Sequence, residues 1–360
     1  MSDASIKSTM NARLPALPML LQGSAQAGAN LSLAATAWMV SGITASPLLN
    51  TLLPALGALP FLLQLKQTAR GYWLQILGVL ILLGVSLALK PMGEYKTMLL
   101  LGSFAAVLLF EIGQEISILP LQRELIVAAG SSMKRLRSSQ EIGALIGNLL
   151  AALLFPALRQ FLPALVLLLP LAVVSSQPLA PPIPSPAAAT KTSNQLPWDR
   201  SCALQGLVMG GLFALLALWV RVIDGGSCFE FGMVLAAYGL GRALGRWTPQ
   251  LPRWLPYLLI SALLLLSQTT VPPWFAVLLF VPIGILAAVS DAALVDRMTP
   301  LGDEPMRWRV LVRSGAVGGL VGSIGLGLIC QVLGLSVALP LVTAGFIALA
   351  ITQGRLAAQA

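Results

Sequence analysis

Two carboxylates four residues apart are the first sign of chemistry in this chain. Glu111 and Glu115 lie in the stretch FEIGQEISILPLQRE, residues 110–124, with Gln114 and Ser117 as polar neighbours and Arg123 and Glu124 following. On a helix, positions i and i+4 share a face, so both acids point the same way. The residues before them are almost wholly apolar. A charged side chain at the middle of a bilayer costs about 2.5–3.5 kcal/mol on insertion scales, so such acids face a bundle interior or a wet cavity. A second site of the same kind is Ser290–Asp291, late in another apolar run. Gln22, Gln26 and Asn30 recur at i, i+4 and i+8, a polar stripe along one helix face, and Gln205 stands alone in a third apolar run.

Two readings of these groups follow from charge alone. Glu111, Glu115 and Asp291 can form an acidic centre that takes up and releases protons. Carboxylates that feel one another titrate as a unit, and protonation changes the cost of exposing them to either side of a membrane. Alternatively the acids pair with Arg123, Arg297 or Arg313 and hold a gate shut. Glu115 and Asp291, near the ends of their apolar runs, fit the second reading better, and the deeper Glu111 fits the first. The glutamine stripe can contact a solute or hydrogen-bond between helices.

Any position for these groups must come from membrane helices. Of the 360 residues, 57% are hydrophobic and 10% charged, with charge confined to short clusters between apolar runs, and this excludes an ordinary soluble domain. Many runs approach the ~20 residues that cross a bilayer as a helix, and they lack the period-2 alternation of a membrane barrel. The expected helices cover residues 14–43, 47–64, 72–89, 97–119, 141–158 and 161–175, then 202–222, 229–244, 255–267, 274–295, 310–333 and 336–352. Between the two sets of six lies SQPLAPPIPSPAAATKTSNQLPWDR, a proline-rich linker. The division is therefore a tail (1–13), a six-helix bundle (14–176), a linker (177–200), a second bundle (201–353) and a short tail (354–360).

Loop charge sets orientation. With the N-terminus inside, the cytoplasmic connections carry Lys66, Arg70, Arg123, Lys134, Arg135, Arg137, Lys191, Arg200, Arg242, Arg246, Arg253, Arg297, Arg307, Arg309 and Arg313. The opposite connections carry only Lys90, Lys96, Arg159 and Arg221. Both termini and the linker are thus placed in the cytoplasm, in a multi-pass protein of a bacterial-type inner (plasma) membrane. Seven tryptophans, Trp73, Trp198, Trp219, Trp247, Trp254, Trp274 and Trp308, fall near helix ends as an interfacial belt. The net charge of +9 reports this retention pattern, and with no basic stretch interleaved with aromatics nucleic acid is not an expected partner.

Other chemistries lack their residues. The chain has no histidine, no metal-ligand cluster, no GxSxG and no P-loop, so neither metal, cofactor nor catalytic activity is expected. Cys202, Cys228 and Cys330 lie in or beside apolar segments without CxxC spacing, as small buried side chains do. Gly318, Gly319, Gly322, Gly325 and Gly327, and the pair Gly241 and Gly245, have small-residue spacing suited to close helix packing.

Six helices, a cytoplasmic linker and six more helices resemble the major facilitator superfamily of transporters. The local sequence adds to this: Lys66 and Arg70 between helices 2 and 3, GLGRALGR (residues 239–246) after helix 8, and MTPLGDEPMRWRV followed by GAVGGLVGSIGLG, with SSMKRLRSSQEIGALIG as the first half's counterpart. The last pattern is similar to the efflux branch. The chain departs from the family's loop motif in having no acid in either copy, and from the glycine-rich helix 5 pattern, of which Gly143 and Gly147 remain. The resemblance implies an all-α, two-bundle architecture whose helices 1, 4, 7 and 10 line a central cavity. That would bring together Gln22, Gln26, Asn30, Glu111, Gln114, Glu115, Gln205 and Asp291, with Arg123, Arg242, Arg246, Arg297 and Arg313 as gate cations. It implies a monomeric, proton-coupled exporter of a small amphiphilic or cationic solute. A lipid or lysolipid flippase and a non-transporting assembly factor are the alternatives.

Overall fold

The computed structural model describes residues 17–63, 65–89, 95–129, 133–154, 158–176, 198–222, 225–245, 247–249, 251–268, 273–301 and 304–358. Among these the secondary structure is helical, with no strand. The first half comprises α1 (Leu17–Ile43), α2 (Pro47–Ala58, extended by a 3-10 turn, Leu59–Leu62), α3 (Trp73–Ala88), α4 (Lys96–Ala129), α5 (Met133–Leu153) and α6 (Leu158–Ser175). The second half opens with α7, one span (Arg200–Val222) broken at Leu215 into Arg200–Ala214 and Leu216–Val222. It continues with α8 (Cys228–Gly245), α9 (Leu255–Ser267), α10 (Pro273–Arg297), α11 (Glu304–Leu333) and α12 (Ala338–Ala358).

Local chemistry explains several starts. Ser46 caps α2 by accepting the Leu49 amide, and Pro47 follows at the first helical position, where a missing N–H costs nothing. Asp199 caps α7 through the Cys202 amide. Ser227 and Glu230 form a capping box at α8: the Glu230 carboxylate accepts the Ser227 amide at 2.5 Å, and the Ser227 hydroxyl accepts the Glu230 amide at 3.5 Å.

Among the described residues six helices, α3, α4, α7, α10, α11 and α12, are long and apolar enough to cross a membrane, and α2, α6 and α9 are apolar but shorter. The chain is a multi-pass membrane protein. Its helices pack as two groups of six. In the first, α1 packs on α4, α5 and α6, and α3 on α4 and α6; in the second, α7 packs on α11 and α12, α8 on α10, and α9 on α10 and α12. The groups meet chiefly along α5 with α8 and α2 with α11.

Several boundaries differ from the sequence reading. The basic stretch between the expected helices 4 and 5, read as a connection with room for a short interfacial helix, is mostly a continuation of the two helices: α4 runs to Ala129 and α5 starts at Met133. Its Arg, Lys, Leu, Glu and Gln residues are good helix formers, so backbone preference persists where hydropathy stops. For the same reason α11 starts at Glu304 and α12 runs to Ala358, past the expected start of a tail. The N-terminal tail, most of the linker and Arg246 lie outside the described residues. All three cysteines are free and buried.

Glycine sets the closest helix contacts. A Cβ built at Gly318 or Gly322 would overlap the backbone carbonyl of Ala203 or Leu207, so α7 and α11 touch backbone to backbone. Gly241 does the same for α8 against the Val281 carbonyl of α10.

Contacts between the bundles close one end. Arg221 of α7 reaches α1, donating to the Trp38 carbonyl at 2.8 Å and the Ser41 hydroxyl at 3.0 Å, with its guanidinium 3.9 Å from the Trp38 ring centroid. Trp38 in turn stacks on Phe231 of α8. The Ser46 hydroxyl of α2 donates to Gln331 of α11 at 2.8 Å. Gln160 of α6 donates to Ala151 at 2.6 Å and to the Cys228 sulfur of α8 at 3.5 Å. These residues sit at the ends joined by the basic-poor connections.

Candidate functional site

The opposite end holds a pocket between the bundles, of about 330 Å³, lined by Arg137 and Glu141 of α5, Arg242 of α8, Asp291 and Asp296 of α10 and Trp308 of α11. Its volume is within the range of small-molecule sites. Close packing of Gly241 and Gly245 on α10 brings Arg242 to Asp291, whose carboxylate accepts the Arg242 guanidinium at 2.9 Å. The other Asp291 oxygen accepts Gln205 Nε2 of α7 at 2.6 Å, and the same amide reaches the Ser290 hydroxyl at 3.2 Å. Tyr257 of α9 donates its hydroxyl to Gln205 Oε1 at 3.2 Å. One acid is thus held by groups from two neighbouring helices, one of them braced by a third. Both charges of the pair stay partly exposed, at 27% for Arg242 and 16% for Asp291, so the pair borders the pocket.

Arg137 enters from the other bundle and stacks on Trp308, 3.1 Å from the ring centroid. The Trp308 indole N–H is buried without a hydrogen-bond partner among the described residues, and is available to an acceptor. The lining charges are mixed, with Arg137, Arg242 and Arg253 opposite Glu141, Asp291 and Asp296. This arrangement can bind a small polar or charged solute, and because its walls belong to both bundles, rotation of one bundle against the other opens or dismantles it.

The acids of α4 lie elsewhere. Glu111 is buried, at 9% exposure, against α2, where a Cβ built at Gly57 would stand 3.5 Å from its Oε1. Among the described residues it makes no hydrogen bond or ion pair, and the charge acting on it is that of Glu115. Glu115 is half-buried and faces the field of Arg309 and Arg313 of α11. Asp291 therefore sits with Arg242 and Gln205, while Glu111 and Glu115 form a separate pair. Gln22, Gln26 and Gln114 meet Gln75, Ser117 and Tyr72 around a small cavity of about 30 Å³ in the first bundle, whose wall also includes Ile118, Leu121 and Leu171. Asn30, half-buried on α1, is not in its lining.

Of the gate cations, Arg242 pairs with Asp291, and Arg313 lies near Glu115. Arg123 is exposed, beside Arg309. Arg297 pairs with Asp199 and donates to Ser201 at 2.8 Å, fastening α10 to α7 within one bundle. Arg137, Trp308, Glu141 and Tyr257 were not singled out from sequence. Trp308 and Trp219 were assigned to the interfacial belt; both are partly buried within the protein, whereas Trp73, Trp198, Trp247, Trp254 and Trp274 are exposed. Among the described residues no group of three or more Cys, Asp or Glu can hold a metal.

No protein-family model and no curated protein matches the sequence. Solved structures do match in shape. A variant of the nucleoside transporter NupG is 12% identical, covering 94% of this chain and 97% of its own, with a TM-score of 0.60. The human organic anion transporter MFSD10 (TETRAN) is 14% identical over 94% of this chain and 99% of its own, with a TM-score of 0.54. A bacterial homologue of the human lysosomal transporter Spinster, in an inward-facing and unoccupied conformation, is 13% identical over 94% of each chain, with a TM-score of 0.52. The chain has the major facilitator fold over nearly its whole length.

Proposed function

We propose that this protein is a secondary transporter that moves a small amphiphilic or cationic organic solute out of the cell by alternating access, driven by protons. The observation that carries the reading is the pocket of about 330 Å³ walled by both bundles and closed off at the other end by Arg221, Ser46 and their partners. A solute site shared between two bodies that meet at opposite ends is what alternating access requires. The basic connections at that end favour a cytoplasmic side for the pocket, in an inner membrane. Arg242, Asp291 and Gln205 hold the solute's polar groups. Glu111, buried and without a cation at hydrogen-bonding distance, carries the proton, and Glu115 passes between Glu111 and the cations of α11. The protein works as a monomer.

The test is flux. Purified protein in liposomes carrying an internal pH dye is given a panel of organic cations and amphiphiles across an imposed pH gradient. Solute-dependent proton movement is expected, and its loss in Glu111→Gln. No solute-dependent proton movement across the panel would refute proton-driven transport of these compounds, and wild-type coupling in Glu111→Gln would remove Glu111 from the mechanism.

A further inference from the structure

A second cavity is larger than the one between the bundles. It lies inside the second bundle, about 460 Å³, at the end opposite the Arg242–Asp291 pocket. The break in α7 creates it: Gly211 and Leu212 line it before Leu215, and Trp219 and Val220 after. Helices α8, α10 and α12 complete a wall that is mainly aliphatic, with Trp219 and Phe280 as aromatic faces.

Its polar rim is one-sided. Glu230 is the charged residue in the lining, and among the described residues it forms no ion pair. The nearby cation in sequence, Arg221, is turned away to Trp38 and Ser41 of α1. The Ser267 hydroxyl is donated to the Leu264 carbonyl, and Gln268 Nε2 to Leu264 and Thr343, so both residues retain lone pairs. The rim offers acceptors and a negative charge beside aromatic faces, and the remainder of the wall is apolar. That combination selects a ligand with a cationic head and an apolar body, since a cation is attracted both to a carboxylate and to an aromatic face.

We propose that this chamber is a second binding site, for an amphipathic organic cation, with the apolar body between α7, α10 and α12 and the positive charge at Glu230. The site is distinct from the inter-bundle pocket, and its occupancy is an equilibrium property that needs no flux. Failure of the transport reading and failure of this one are therefore separately visible.

The test uses tetraphenylphosphonium as probe and tetraphenylborate, of the same shape and opposite charge, as control, with the purified full-length chain in detergent. Tetraphenylphosphonium is expected to bind at least tenfold more tightly than tetraphenylborate. Glu230→Gln removes the charge but keeps the capping box, which accepts glutamine as well as glutamate. It should leave the melting temperature in place and weaken the cation by about tenfold, a loss of about 1.4 kcal/mol. Gly211→Leu should abolish binding, because a Cβ at Gly211 meets only ordinary contacts, 3.6 Å from Leu326 and 3.8 Å from Val342, so the longer side chain enters the chamber. Equal binding of the two ions, or no binding of the cation, overturns the proposal. So does a site lost in Asp291→Asn and kept in Gly211→Leu, which would locate the cation between the bundles.

Discussion

Arg221 uses its guanidinium on the opposite bundle, two hydrogen bonds and a ring face on α1, and nothing in its own bundle offers it an acid among the described residues. Hydrogen bonds to a charged group contribute about 1.5–3 kcal/mol each. Arg221→Ala, which removes two of them, should therefore shift the balance between closed and open arrangements at that end by roughly a hundredfold or more. A cysteine placed at Ser46, beside the same seam, should react faster with a membrane-impermeant thiol reagent in that variant; an unchanged rate would mean Arg221 does not hold the seam. The Arg242–Asp291 pair makes a different demand. Removing one member strands the other beside a cavity wall, so Arg242→Gln and Asp291→Asn should each lower the melting temperature, and the double variant should recover part of the loss. Additive losses would mean that the two side chains are not coupled. At this scale the sequence marked which acids stand in apolar runs but not what they face. Asp291 and Glu111 look alike as isolated carboxylates, and only packing distinguishes an acid with an arginine at 2.9 Å from one lying against a glycine.

At the scale of elements, the hydropathy pattern located the helices well, because apolar length is what a bilayer selects. It misplaced the ends of α4, α5, α11 and α12, where helix propensity continues past the apolar run. That misplacement hid Arg137: read as a loop charge, it lies one turn inside α5 and reaches Trp308. The glycines of α11 were legible as a packing surface, and the structure divides them. Gly318 and Gly322 sit where any side chain would strike the backbone of α7, whereas a Cβ at Gly325 meets nothing within 4 Å. Overpacking costs about 1–3 kcal/mol even where side chains can adjust, and a backbone carbonyl adjusts less. Gly318→Leu should lower the melting temperature by several degrees or prevent folding, while Gly325→Leu should melt like the wild type. Equal melting of the two variants would mean that α7 and α11 do not pack in this register.

At the scale of the whole molecule, the two ends are built differently. One is joined by polar contacts and a ring contact between the bundles; the other carries a cavity edged by partly exposed charges. Two halves could be read from the sequence, since proline content and the spacing of apolar runs are local properties, but which end is joined depends on contacts between residues as far apart as Ser46 and Gln331. If transport requires the bundles to part at that end, tethering it must stop flux. With Cys202, Cys228 and Cys330 replaced by serine or alanine, cysteines at Ser46 and Gln331 can be bridged by a short bifunctional thiol reagent with a reducible arm, because their side chains touch. Bridged protein in liposomes should bind solute at the open pocket yet show no net solute movement, and reduction should restore it. Undiminished flux with the bridge intact would show that the bundles need not separate between α2 and α11, and alternating access would have to be abandoned for this chain.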